Sequence, residues 1–204
     1  MKKIFLLFLI AILIPAVYSQ KRPWRVGVKG GVNYIHLENY GKEGFYSDFD
    51  AQPGWTLGVI AEYTKGDFFN YSVAPEIIVT QSYTLVDFIY WTDYPANIQT
   101  IDIPINIRAG LRLSKIFRPY LLGNIYVSYI YNTVGDFFEI LDADNSLPHN
   151  TIHRLYYGVS AGMGFDLWKF EVEGRYRWNM NRINTDDYGN LRQMGLELSV
   201  GLLF

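Results

Sequence analysis

The sequence predicts an all-β fold, an eight-stranded antiparallel closed up-and-down transmembrane β-barrel. Three observations predict it. After residue 20, apolar and polar residues alternate with a period of two in eight separate segments. The connections between these segments alternate between long and short, as they do when loops gather at one end of a barrel and tight turns at the other. The apolar face of the segments is bulky, whereas the polar face is rich in glycine.

The first 19 residues have the pattern of a secretory signal peptide. Two lysines precede an apolar run over residues 4–14, and Ser19 supplies a small residue at the cut. The run is short for crossing a hydrocarbon core of about 30 Å. We expect cleavage after Ser19 or Gln20, which leaves a barrel domain over residues 20–204. The absence of cysteine excludes a disulfide scaffold, and the net charge of −2 argues against nucleic-acid binding.

Each strand is recognised by its alternation. The first predicted strand places tryptophan, valine and tyrosine on one face and arginine, lysine and glycine on the other. If such a segment were a helix, its charged residues would be buried at every second position, so a strand is favoured. The eight predicted strands cover residues 24–34, 55–64, 69–80, 101–112, 119–132, 154–166, 169–178 and 193–204. The fifth alternates least clearly. Pro75 and Pro104 lie inside strands, where proline cannot donate to the ladder, so we expect a less regular register there.

The connections divide the barrel into two ends. The long connections span residues 38–53, 82–97, 133–151 and 181–190, and the short ones span residues 65–67, 113–117 and 166–169. Both ends of the mature chain then fall on the short-turn side. In bacterial outer-membrane barrels this side faces the periplasm, and the long loops face outward.

The apolar face of each strand is expected to contact lipid. A soluble cup would turn that face inward, but an eight-stranded lumen is only just wide enough for side chains to fill. Aromatic residues near strand ends, such as Trp24, Trp55 and Trp178, are typical of interfacial girdles. Hydrocarbon cannot satisfy an open sheet edge, so the barrel must close. The chain ends on the outward Phe204, which resembles the signal that outer-membrane barrels present to their insertion machinery.

The predicted lumen carries eight basic and seven acidic residues. This lumen charge network comprises Arg25, Lys29, Glu62, Glu76, Asp102, Arg108, Arg112, Arg154, Asp166, Lys169, Glu171, Glu173, Arg175, Arg177 and Glu197. Unpaired buried charges are costly, so near balance favours a paired network that plugs the lumen. An ion-selective pore would carry one dominant sign.

The second long connection is a candidate protein-contact surface. It keeps alternating, which predicts that strands three and four extend beyond the bilayer as a hairpin. The proposed partner-contact residues are Tyr83, Leu85, Phe88, Tyr90, Trp91 and Tyr94. Exposed aromatics on strand edges suit a partner, although they could equally pack over the barrel mouth or the neighbouring loops. The basic residues of the short-turn side suit the periplasmic leaflet or a periplasmic partner; they are Lys21, Arg22, Lys65, Lys115 and Arg118.

No motif predicts catalysis, a metal site or a cofactor. A rim hydrolase could use His36 or His153 with a nearby serine and carboxylate, but no nucleophile motif fixes their geometry. The serines and carboxylates considered are Ser47, Ser82, Asp48 and Asp87. Acidic clusters over residues 142–145 and 186–187 lack a full calcium-loop pattern, so a solvated acidic rim is expected. We therefore expect no catalytic residue, no metal ligand and no cofactor.

Short motifs spread along the strands resemble one known family. They are Val26-Gly27-Val28-Lys29-Gly30-Gly31-Val32-Asn33, Gly54-Trp55-Thr56-Leu57-Gly58, Ala74-Pro75-Glu76, Ile101-Asp102-Ile103-Pro104, Arg118-Pro119-Tyr120, Tyr157-Gly158-Val159-Ser160-Ala161-Gly162-Met163-Gly164 and Glu173-Gly174-Arg175-Tyr176. Their order and spacing resemble the PorT-like outer-membrane β-barrel family of Bacteroidota, over nearly all of the mature chain. The resemblance implies an integral outer-membrane barrel. Because the founding members belong to type IX protein secretion and gliding motility, it also suggests an accessory role in that secretion.

The sequence therefore predicts a small non-enzymatic protein of the outer membrane with a structural, assembly or partner-binding role. Its expected partners are membrane lipid, the barrel insertion machinery and a protein bound through the outer loops or the periplasmic turns. A small solute pore or ligand-binding barrel is the alternative, because eight-stranded barrels also enclose ligands. A rim lipid or peptide hydrolase is a third class.

Overall fold

The computed structural model describes residues 23–39, 48–88, 91–134, 153–182 and 191–204. All regular elements within these ranges are β-strands. They are β1 (Trp24–Asn39), β2 (Asp48–Lys65), β3 (Phe69–Phe88), β4 (Trp91–Leu111), β5 (Phe117–Val134), β6 (Leu155–Leu167), β7 (Phe170–Asn179) and β8 (Leu191–Leu203). Across the described ranges, no helix is long and apolar enough to span a membrane.

The strands form one closed sheet. Each strand pairs antiparallel with its neighbours in chain order, and β1 pairs with β8 from Gly27↔Leu203 to Asn39↔Leu191. Closure leaves no sheet edge along the wall, which is what backbone groups in hydrocarbon require. The prediction of an eight-stranded antiparallel up-and-down barrel is therefore confirmed.

The register stays regular at both prolines, contrary to expectation. Pro104 lies opposite Tyr126 in an unbroken run of β4–β5 pairs. Pro75 lies opposite Ile105, after which the β3–β4 pairing is interrupted as far as Ile78↔Asp102 and then resumes without a shift. The register shifts lie elsewhere, between residues 52 and 55 of β2, between 86 and 88 of β3 and between 99 and 100 of β4. Each proline lacks an N–H to donate to the ladder, but the flanking pairs keep the strands aligned.

Strands β2, β3 and β4 continue well beyond the rest of the wall. The pairing of β1 with β2 ends at Tyr34↔Pro53, whereas β2 and β3 remain paired as far as Asp48↔Asp87. The pairing of β3 with β4 continues to Phe88↔Trp91. The predicted long connection over residues 82–97 is thus mostly a hairpin, as its alternation indicated. We call residues 48–52, 83–88 and 91–97 the outer sheet.

The two faces of the wall differ as the alternation predicted. On β5, Leu121 and Ile125 are outward and more than 60% exposed, whereas Tyr120 and Leu122 point into the barrel and are buried. On β4, the outward Ile107 is 65% exposed and the inward Arg108 only 1%. Large apolar side chains therefore form a continuous outer surface, which is stable only in contact with lipid.

A charge on this outer surface is expected to be costly. Replacing Ile125, near the middle of β5, with arginine should lower the free energy of unfolding by about 2–4 kcal/mol, because a charge at the bilayer midplane loses its hydration. The measurement is urea unfolding in phospholipid vesicles. Asp67→Arg, in the exposed β2–β3 turn, is the control and should leave the unfolding midpoint unchanged. Equal midpoints for both variants would contradict a lipid-facing position for Ile125.

Candidate functional site in the barrel lumen

Among the described residues, thirteen charged side chains form one continuous ion-pair network inside the barrel. They are Arg25, Lys29, Glu62, Glu76, Asp102, Arg108, Arg118, Asp166, Glu171, Glu173, Arg175, Arg177 and Glu197. The near balance of six cations and seven anions lets each charge meet a partner. Small inward residues such as Gly162 leave room for these side chains against the wall.

Arg108 is the centre of the network. Its Nη1 donates to Glu171 Oε2 at 2.6 Å, and its Nη2 donates to Glu173 Oε2 at 2.8 Å. Lys29 Nζ donates to Glu76 Oε1 at 2.9 Å and to Glu173 Oε1 at 3.2 Å. Arg108 also approaches Glu76, at 3.4 Å. Each buried charge here meets at least two opposite charges, which offsets its loss of hydration.

The carboxylates of Glu76, Glu171 and Glu173 come within 4.8 Å of one another. This spacing would suit a metal ion. In the structure their oxygens instead face Lys29 and Arg108, and those two cations already supply the charge that a metal would bring. The cluster therefore acts as part of the ion-pair network.

The short-turn end of the network contains an arginine that the sequence analysis placed on the surface. Arg118 is buried, and its Nη2 lies 2.6 Å from Glu62 Oε1 and 2.8 Å from Asp166 Oδ2. Arg25 pairs with the same two carboxylates. Extending the inward alternation of β5 back by two residues from Tyr120 would have placed Arg118 in the lumen.

The long-loop end of the network is built on β7. Arg175 Nη2 lies 2.5 Å from Glu197 Oε1, and its Nη1 lies 3.2 Å from Glu76 Oε2. Arg177 Nη1 lies 2.8 Å from Asp102 Oδ2, and its guanidinium lies over the ring of Tyr126 at 4.5 Å. This ring contact adds a cation–π interaction at the boundary between charged and apolar layers of the lumen.

Three residues predicted for the lumen network lie outside it. Arg112 and Arg154 are exposed, because they lie just past the ends of β4 and β6, and neither forms an ion pair with any described residue. Lys169 lies in the turn between β6 and β7, with its Nζ 5.3 Å from the Trp168 ring and 5.5 Å from the Phe204 ring. The alternation indicates the correct inward face within each strand. It also extends into residues that flank the strands, and these residues lie outside the lumen.

Beyond the network, towards the long loops, the lumen is filled by an apolar layer. It consists of Leu37, Ile98, Tyr126, Ile130 and Tyr156, all of them buried. The tyrosine hydroxyls stay satisfied, since Tyr126 Oη donates to Asn179 Oδ1 at 2.6 Å and Tyr156 Oη donates to Gln193 Oε1 at 2.8 Å. The sequence analysis missed this layer because it ended strand one at residue 34 and began strand four at residue 101. The network and the apolar layer together close the described part of the lumen.

The proposed partner-contact residues belong to the outer sheet as far as the structure describes them. Tyr83 and Leu85 are half-buried, and Gln81 donates to Tyr83 Oη. The backbones of Phe88 and Trp91 are paired at the end of the hairpin, and Tyr94 is paired with Val86. Tyr90 lies outside the described residues, and so do Ser47, the acidic residues 142–145 and 186–187, and the basic pair 21–22.

The rim residues considered for hydrolysis are not assembled into a site. His36 is half-buried on β1 opposite Met194, His153 is exposed before β6, and Ser82 is buried opposite Ile98. Within the described ranges, no hydrogen bond joins either histidine to a serine or a carboxylate. Contact between Phe204 and the insertion machinery stays a prediction; its backbone N donates to Val26 O at 2.8 Å.

A closed barrel with a lipid-facing apolar surface and a charged, filled lumen defines an integral outer-membrane barrel protein. The chain belongs to the outer membrane protein beta-barrel domain family, whose family model matches residues 18–184. It is therefore an outer-membrane protein in contact with membrane lipid. No curated protein sequence matches the chain.

Solved structures of outer-membrane barrels are similar in fold. One is the outer membrane enzyme PagL, with 13% identity, coverage of 86% of this chain and 98% of that chain, and a TM-score of 0.51. Another is OprG from Pseudomonas aeruginosa, with 11% identity, coverage of 89% and 94%, and a TM-score of 0.47. Neisserial surface protein A has 14% identity, coverage of 87% and 96%, and a TM-score of 0.47. At these identities the similarity concerns the fold alone.

Proposed function

We propose that this protein is a non-enzymatic outer-membrane barrel that binds a protein partner through its outer sheet, as an accessory of type IX protein secretion. The outer sheet carries this proposal. In the described part of the chain, residues 48–52 of β2 pair with β3 only, because the pairing with β1 ends at Tyr34↔Pro53. A strand paired on one side offers its other side for β-strand addition by a partner.

The filled lumen supports a binding role over the alternatives of a small solute pore or a ligand-binding barrel. Its charged residues are paired with one another, so their role is structural, and no dominant sign remains to select an ion. The apolar layer around Tyr156 excludes water from the part of the lumen between the ion-pair network and the long loops. The outer sheet is then the part of the barrel best suited to a partner.

The secretion role is supported by the motif order that resembles the PorT-like family of Bacteroidota. The export steps belong to the same proposal. Residues 1–19 are removed as a signal peptide, and the insertion machinery recognises the terminal Phe204 of the remaining barrel. Ser19 at the cut and the outward aromatic at the end of β8 support these two steps.

A gene deletion with complementation tests this function. Loss of the gene is expected to reduce the secreted proteins at the cell surface and in the medium, and a plasmid copy should restore them. A shortened copy, in which residues 85–95 are replaced by an Asn-Gly turn, should reach the outer membrane but fail to restore secretion. Thr84 and Ala96, which are paired in the structure, then flank the two-residue turn, so the barrel itself is expected to fold.

The matched control is a copy carrying Lys65→Gln, a change in the turn at the opposite end of the barrel. It should restore secretion fully. Unchanged cargo in the deletion strain would contradict the secretion role. Where the deletion does reduce secretion, full restoration by the shortened copy would contradict the role of the outer sheet. Heat-dependent gel mobility verifies that each copy is folded.

A further inference from the structure

The short-turn end of the barrel contains a cavity of about 650 Å³. Its walls come from the start of β1, the β2–β3 turn, the β4–β5 turn and the β6–β7 turn, so it lies inside the ring of strands beneath the ion-pair network. The volume is in the range of binding sites for organic ligands, about 300–1,000 Å³.

The lining of the cavity has an excess of positive charge. Arg25, Arg112, Lys115 and Arg118 line it, and Asp166 is the acidic residue among the lining residues that the structure describes. Arg112 and Lys115 are exposed and form no ion pair with any residue in the described ranges. Two cations at the cavity entrance are therefore available to an anionic ligand.

The floor of the cavity is rigidly built. Arg25 and Arg118 are both held by Asp166, at 2.6 Å and 2.8 Å. Arg118 Nη1 also donates to Thr64 Oγ1 at 3.2 Å, while its buried Nε has no partner in the structure. Glu62 pairs with the same two arginines, so the floor is a fixed set of ion pairs and the excess positive charge of the cavity comes from Arg112 and Lys115. A fixed floor lowers the entropy lost when a ligand binds.

Apolar surface adjoins the charges. Ile116 and Trp168 line the cavity and are 55% and 64% exposed, and Pro23 and Phe117 complete this part of the wall. An inorganic anion would leave this surface and most of the volume unused. A ligand that combines carboxylates with apolar side chains would use both parts of the wall.

We propose that this cavity binds an acidic peptide segment of a soluble periplasmic protein, with Arg112 and Lys115 pairing with its carboxylates. Its apolar side chains contact Ile116 and Trp168. A lipid headgroup fits less well, because the cavity lies inside the strand ring and the acyl chains of a lipid stay outside it. The site is at the opposite end of the barrel from the outer sheet, so it goes beyond the function proposed above and does not depend on it.

The test uses the purified barrel in phosphatidylcholine nanodiscs and a short fluorescein-labelled peptide that alternates glutamate and leucine. Fluorescence anisotropy should show saturable binding that weakens with added salt, because the interaction depends on charge. The double variant Arg112→Gln/Lys115→Gln should bind about tenfold more weakly. Lys65→Gln is the matched control, an exposed lysine of the same end that does not line the cavity, and it should bind like the parent protein.

Three outcomes would overturn the proposal. The first is unchanged affinity in the double variant, or an equal loss with Lys65→Gln. The second is displacement of the peptide by equimolar inorganic phosphate, which would reassign the cavity to simple anions. The third is no saturable peptide binding, and less phosphatidylglycerol retained by the double variant in detergent would then reassign the cavity to a lipid headgroup. Equal circular dichroism spectra establish that the variants are folded.

Discussion

Replacing Arg108 with leucine is expected to lower the free energy of unfolding by about 3–5 kcal/mol, the usual cost of removing one partner from a buried ion-pair cluster. Arg108 lies within 3.7 Å of Glu62, Glu76, Glu171 and Glu173. Without it, these four carboxylates would face one another with fewer cations in a space that water does not reach. The resulting repulsion acts on strands β2, β3 and β7 together.

Urea titration of tryptophan fluorescence in phospholipid vesicles measures this loss. Arg154→Leu is the control, because Arg154 is exposed and unpaired within the described residues, and it should leave the midpoint unchanged. The double variant Arg108→Leu/Glu171→Leu should recover part of the loss, since it also removes a carboxylate that the single variant leaves unpaired. A single variant as stable as the parent protein would show that the network does not hold the lumen together.

Replacing Gly164 with valine is expected to cost about 3 kcal/mol or more, because the inward side of β6 has no space for a side chain. A Cβ at this position would lie 2.6 Å from Tyr120 Oη and 2.6 Å from the backbone oxygen of Val172. The backbone oxygen belongs to the paired strand β7 and cannot move without breaking the ladder. We expect the variant to fail to close into a barrel.

Closure of the barrel is measured after folding into vesicles. The readout is the fraction of protein whose gel mobility changes on heating. Gly123→Val is the matched control, a glycine on the outward face of β5 where the nearest atom to an added Cβ is Ser160 O at 3.9 Å. It should fold like the parent protein, because the valine would extend into lipid. Equal folded fractions for the two variants would contradict the close packing of Tyr120 on β6.

The alternation of side chains was sufficient to predict the strands, their closure and the inward position of twelve of the fifteen charges assigned to the lumen. The alternation of side chains with a period of two is a property of each strand alone, so it can be read without knowing how that strand is paired with its neighbours. The ion-pair partners could not be predicted in the same way, because contacts such as Arg175 with Glu76 depend on how strands far apart in sequence align across the lumen. Arg118 was missed for a smaller reason: β5 begins two residues before the segment where its alternation was recognised.

The apolar layer illustrates a second limit. Leu37 and Ile98 continue the inward alternation of β1 and β4, but they are apolar where the earlier inward residues are polar. A change of residue class along one face looks like the end of a strand when only the sequence is available. The lumen changes from charged to apolar along its axis, and only the paired backbone shows that the strands continue.

The ion pairs described in the lumen also constrain how the barrel assembles. Lys29 on β1 meets Glu76 on β3 and Glu173 on β7, and Arg108 on β4 meets Glu171 on β7. The Lys29–Glu173 pair joins β1 to β7 across the seam between β1 and β8, so it exists only once the first and last strands have met. A half-assembled sheet would expose part of its charged face with fewer counter-charges. Assembly is therefore cooperative, with the energetic gain concentrated in the final step of closure.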